Sequence, residues 1–171
     1  MLRRNLFALT TIGTAAFALL LGTASAQQKT LREQLIGAWT LVSDETMPTN
    51  GPKRQTFGAN PKGILILDAG GRYAMVQGRP DRPKFKNVTK LRLGATADEF
   101  AAAARGFAAN FGTWSVDEAD KTLTRKYEIA LIPNNDMSER KASVIIAGDE
   151  LKLAGMGANG ARIEAVYRRA K

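Results

Sequence analysis

The chain contains no cysteine and no histidine. The first absence excludes disulfides, thiolate nucleophiles and thiolate metal sites, and the second removes imidazole acid–base chemistry and histidine ligation. Most hydrolase and metalloenzyme mechanisms fall with them, and no metal or cofactor is expected. Aromatics are sparse, with two Trp and three Tyr, so each is a candidate for a defined place in a core or pocket. Acids are also short, 16 against 25 bases, for a formal charge of +9. Such an excess suits nucleic acid, an anionic surface or an anionic small ligand. The bases form no block interleaved with aromatics, which rejects the nucleic-acid reading.

One long apolar run is present, at the N-terminus. Met1–Asn5 carries Arg3 and Arg4, Leu6–Leu21 is apolar but for Gly13 and three threonines, and Ala24-Ser25-Ala26 has the small-x-small form that signal peptidase cleaves. Residues 1–26 therefore read as an export signal, and the product as a periplasmic or secreted domain beginning at Gln27. A retained anchor is the alternative, but the threonine-broken run falls short of the ~20 residues needed to span. No membrane span is expected after signal removal. Loss of Arg3 and Arg4 takes the formal charge from +9 to +7.

Beyond a helical turn at Leu31–Gln34 the apolar pattern has period two, which predicts strands. Leu35–Glu45 places Trp39 and Leu41 on one face. Gly63–Asp68 and Tyr73–Gly78 flank the Asp68-Ala69-Gly70-Gly71 turn. The proline-bearing stretch Arg79–Lys90 cannot be an inner strand. Thr96 and Glu99 have capping-box spacing, and Phe100, Ala104, Phe107 and Phe111 read as one helical apolar stripe that must be buried against the sheet. Strands follow at Phe111–Glu118, at Thr122–Leu131 with Leu123, Tyr127, Ile129 and Leu131 inward, at Glu139–Ala147, at Leu151–Ala154 and at Arg162–Arg169. About eight strands in so short a chain, joined by hairpin-like turns, predict a mainly β, closed or nearly closed antiparallel barrel with one inserted helix. An open sandwich is the alternative.

Several segments resemble, in order, the bacterial lipocalin-like domain family of calycin-like β-barrels: Leu35-Ile36-Gly37-Ala38-Trp39-Thr40-Leu41-Val42-Ser43, Phe57-Gly58-Ala59-Asn60-Pro61-Lys62-Gly63-Ile64-Leu65, Arg79-Pro80-Asp81-Arg82-Pro83, and Phe111-Gly112-Thr113-Trp114-Ser115-Val116-Asp117. The resemblance spans residues 35–169. It implies a barrel that holds a small, mostly apolar molecule. It also implies that Arg168 or Arg169 stacks on Trp39 at the closed end. Where the family often has a His pair, this chain has Arg125-Lys126.

Alternation places Arg125 among Leu123, Tyr127 and Ile129, and Arg140 among Ala142, Val144 and Ile146. A guanidinium buried without a partner is costly, so each requires a carboxylate, carbonyls or a ligand anion. A simple hairpin would set the two at different depths along one wall. The candidate ligand-binding set is Tyr73, Met75, Arg79, Phe107, Trp114, Arg125, Tyr127 and Arg140; no catalytic residue is named. The leading function is binding of a small apolar or amphipathic molecule, a long-chain carboxylate or similar acid, inside the barrel. The alternatives are an isomerase, cyclase or dehydratase working without His or Cys in the same cavity, and a structural envelope protein with a filled core.

Overall fold

A computed structural model describes residues 29–86, 94–157 and 160–171. The proposed export signal lies outside them. Nine strands form one antiparallel sheet: β1 (Gly37–Met47), β2 (Arg54–Gln55), β3 (Lys62–Leu67), β4 (Arg72–Gly78), β5 (Phe107–Asp117), β6 (Thr122–Ala130), β7 (Glu139–Ala147), β8 (Glu150–Met156) and β9 (Arg162–Arg169). β3 to β9 run as a meander, β1 pairs with both β3 and β9, and the eight strands close into a barrel with the two-residue β2 added beside β1. Closure leaves no barrel strand with an unpaired edge, which is how a chain this short dispenses with disulfides.

Two α-helices are present among the described residues, α1 (Leu31–Leu35) and α2 (Ala97–Arg105). α1 begins at a capping box between Thr30 and Glu33, and the Glu118 carboxylate accepts the N–H groups of Leu31 and Arg32 at 2.8 and 2.9 Å. It closes one end of the barrel. Leu35 is fully buried beneath it, and Trp39 donates its indole N–H to the Leu35 carbonyl at 2.8 Å. Of the two expected arginines it is Arg169 that stacks on Trp39, 4.1 Å from the ring, while donating to the Gln34 and Ile36 carbonyls at the end of α1. Trp39, Leu65, Leu67, Leu123 and Leu151 fill this end completely.

The helix before β5 differs from the expectation. Thr96 and Glu99 do form the capping box, but α2 stops at Arg105 and buries none of its residues. Phe107 and Phe111 belong to β5, so the stripe predicted through Phe100 is not one face of a helix. Phe100 stands 48% exposed and meets Phe85 edge-on at 5.5 Å. Phenylalanines four apart fit a helical period, but Gly106 ends the helix and the second pair falls into the sheet.

Two β-bulges decide which side chains enter the barrel. On β1, Leu41 pairs with Tyr167 and Ser43 with Val166, so Val42 is the extra residue. Alternation shifts there by one, which turns Asp44 and Thr46 inward. On β6, Tyr127 pairs with Gly112 and Ile129 with Phe111, so Glu128 is extra. Ile129, expected inside, is 56% exposed, while Ala130 faces the bore.

Candidate ligand-binding cavity

Beyond the packed end the interior opens into a cavity of about 250 Å³. Its lining draws on every barrel strand except β3, together with Thr56 and Phe57 after β2 and residues 131, 132 and 135 beyond β6. Met75, Phe107, Arg125, Tyr127 and Arg140 of the candidate set line it. The other three candidates sit elsewhere. Tyr73 reaches it indirectly, donating its hydroxyl at 2.9 Å to Asn110, which does line it. Trp114 lies toward the closed end, its indole N–H on the Asp68 carbonyl at 3.0 Å and Arg32 4.6 Å over its ring. Arg79 is outside the barrel, held by both oxygens of Asp81 at 3.0 and 2.8 Å, and borders a separate hollow of about 450 Å³ beside Arg82 and the outward residues Ile64 and Val76.

Arg125 and Arg140 are directly opposed in the β6–β7 register. They share one depth, contrary to the expectation from a simple hairpin. The connection from β6 to β7 contains a 3₁₀ turn, Pro133–Asn135, and the Tyr127 N–H already pairs with the Ser138 carbonyl, so the register differs from that of a tight hairpin. Among the described residues neither guanidinium has a carboxylate within ion-pair distance. Arg125 donates to the Met75 sulfur at 3.1 Å and lies 5.8 Å from the Tyr73 ring, and its Nε is buried without a partner. Arg140 donates to the Asn135 side-chain oxygen and the Glu139 carbonyl, both at 3.1 Å, and lies 5.9 Å from the Tyr127 ring. A thioether and neutral oxygens are weak counterparts for two opposed cations.

The opposite wall carries the single acid among the described lining residues, Asp44. The Thr56 side chain lies against its carboxyl group, the Thr56 N–H donates to the Asp44 backbone carbonyl at 2.9 Å, and Thr46 and Thr56 share a hydroxyl contact at 2.8 Å. Its Oδ1 is buried without a partner. Burial pushes the Asp44 carboxyl above its ordinary 3.8, against the Thr56 hydrogen bond and the charge of Arg125. Nearby, Gln77 donates to the Tyr167 hydroxyl, which faces the Met75 sulfur at 3.9 Å. Burial pushes the pKa of both the Tyr73 and the Tyr167 hydroxyl up, so both stay neutral near pH 7.

Asp44, Thr56, Phe57, Gln77, Asn110 and Asn135 also line the cavity, outside the candidate set. Asp44 was hidden by the Val42 bulge. Gln77 was legible, since it shares parity with Tyr73 and Met75 on β4.

A family model described as a lipocalin-like domain matches residues 36–167. The chain belongs to the lipocalin-like domain family. Among solved structures, a lipocalin-like protein from Bacteroides uniformis is 11% identical, covering 80% of this chain and 98% of its own, with a TM-score of 0.42. A redesigned β-barrel is likewise 11% identical, covering 84% and 98% at a TM-score of 0.43. Fatty-acid-binding protein 1 of Echinococcus granulosus is 15% identical, covering 81% and 99% at 0.38. No curated protein matches. In this lipocalin-like domain, then, one wall offers two cationic heads, the facing wall one carboxyl whose pKa burial raises, and apolar contacts come from Phe57, Phe107 and Met75. No His, Cys, Asp or Glu cluster suited to a metal occurs among the described residues. No helix among them is long and apolar enough to cross a membrane.

Proposed function

We propose that this lipocalin-like domain is an exported binding protein for a small amphipathic acid, held with its anionic head between Arg125 and Arg140. The observation that carries this reading is the register: two guanidiniums on one inward face, directly opposed, and neither paired with a carboxylate among the described residues. Like charges placed opposite each other destabilise a sheet, so the pair is costly unless something negative lies between. A carboxylate accepts one or more N–H bonds from each head and cancels the repulsion. The apolar remainder of such a ligand then lies along Met75, Phe107 and Phe57. A cavity of about 250 Å³ lies at or below the roughly 300–1,000 Å³ of drug-sized sites, which supports a medium-chain acid over a long-chain one.

The test is displacement of a fluorescent fatty-acid probe by octanoate. Saturable binding by the parent, weakened tenfold or more in Arg125→Met and Arg140→Met with circular dichroism unchanged, supports the proposal. Absence of saturable binding, or equal affinity in all three proteins, contradicts it. Export is proposed from the N-terminal pattern alone, and N-terminal sequencing of the extracytoplasmic product should begin at Gln27; a retained Met1 contradicts it.

A further inference from the structure

Around the closed barrel β1 and β6 are diametrically opposed, four strands apart in either direction. Asp44 on β1 therefore faces Arg125 on β6 across the bore. Both line the cavity, and each bears on the other's charge, yet no ion pair joins them. Both also carry a buried polar atom without a protein partner, Asp44 Oδ1 and Arg125 Nε. Asp44 is only 6% exposed. The Thr56 N–H donates to the Asp44 backbone carbonyl at 2.9 Å, and the Thr46 and Thr56 hydroxyls meet at 2.8 Å beside it, so the backbone that carries the carboxyl is held at this wall.

A buried carboxyl oxygen left unpaired costs more than it returns, and an apolar residue would fill the position without that cost. A second acid head meets it only while Asp44 is protonated, because two carboxylates repel. The group that fits is one that donates a hydrogen bond. A hydroxyl suits the site in either protonation state of Asp44, donating to the carboxylate or accepting from the protonated acid, whereas an ammonium suits only the ionised form.

Building on the acid-binding reading of Arg125 and Arg140, we infer that Asp44 selects ligands that carry a hydroxyl group in addition to the acid head, so that the preferred class is a medium-chain hydroxy acid spanning the bore. A site that hydrogen-bonds a substrate hydroxyl discriminates strongly against the analogue lacking it, because its own buried polar group is then left unpaired.

The experiment is calorimetric titration of the full mature chain with octanoate, 3-hydroxyoctanoate and 8-hydroxyoctanoate. The expected result is that at least one hydroxy acid binds about tenfold tighter than octanoate. In Asp44→Leu that ratio should fall to about one. As a check that needs no variant, the 13C resonance of the Asp44 side-chain carboxyl in the parent should move further with the preferred hydroxy acid than with octanoate. Octanoate binding with no hydroxy acid preferred overturns the inference and leaves the acid-binding reading intact. A preference that survives Asp44→Leu, or equal movement of the carboxyl resonance with both ligands, also overturns it. Failure of all three acids to bind overturns both readings.

Discussion

Arg125 and Arg140 stand directly across from one another on β6 and β7, on the inward face, with no carboxylate among the described residues on either. Nothing in the packing of the barrel requires this arrangement. The neighbouring inward pair Leu123 and Ala142 closes the same face with apolar contact alone. Such a pair opposes the stability of the unliganded sheet. Arg125→Met and Arg140→Met should therefore each stabilise the unliganded domain, by about 0.5–1 kcal/mol, the scale of a cross-strand charge repulsion. Urea denaturation at low ionic strength checks this, and a lowered midpoint in both variants contradicts it.

The opposite end of the barrel is built for stability. Trp39 is fully buried, hydrogen-bonded to Leu35 and covered by the Arg169 guanidinium. Trp39→Ala should cost about 3–5 kcal/mol. Arg169→Met, which removes the donors to Gln34 and Ile36 while keeping the stem, should cost about 1–3 kcal/mol. Neither should alter the ligand preference of an Arg125–Arg140 site at the other end. Chemical denaturation together with probe titration separates the two effects.

Asp44 gives a pH dependence of defined sign. Burial raises its carboxyl above 3.8, opposed by the Thr56 hydrogen bond and by Arg125, so the folded chain holds this proton more tightly than the unfolded one. Its favourable contribution is complete below about 3.8 and is lost as pH rises through the elevated folded value. Asp44→Asn keeps the shape and cannot ionise. It should raise the denaturation midpoint at pH 7 and flatten stability across the window just above 3.8. A parent and a variant with parallel pH profiles contradict this.

The bulge on β6 depends on Gly112. A Cβ built there would lie 2.0 Å from the Lys126 carbonyl oxygen, a backbone atom that cannot step aside without moving the strand. Gly112→Ala should cost about 1–3 kcal/mol and shift β6, disturbing Arg125 and Tyr127 downstream of the displaced ladder. Stability measured alongside probe binding tests both consequences; an unperturbed variant contradicts the close approach.

The strands and their closure were legible because period-two runs and Gly-bearing turns are local signals, as at Asp68–Gly71, where Gly71 takes a φ of +84°. The Trp39–Arg169 contact was legible through resemblance. Asp44 and Ile129 were not, because a single extra residue at Val42 or Glu128 inverts the facing of everything after it, and the bulge follows from cross-strand register rather than from neighbouring residues. The shared depth of Arg125 and Arg140 escaped for the same reason. The Phe107–Phe111 spacing fits helix and strand alike when read without the Gly106 break.

Recognition of an acid head by the arginine pair, as proposed, is tested by comparing octanoate with octanol, which share the chain and differ in the head. The parent should bind octanoate at least tenfold more tightly than octanol at low salt, and Arg125→Met/Arg140→Met should abolish the difference while remaining folded. Equal binding of octanoate and octanol by the parent would contradict it.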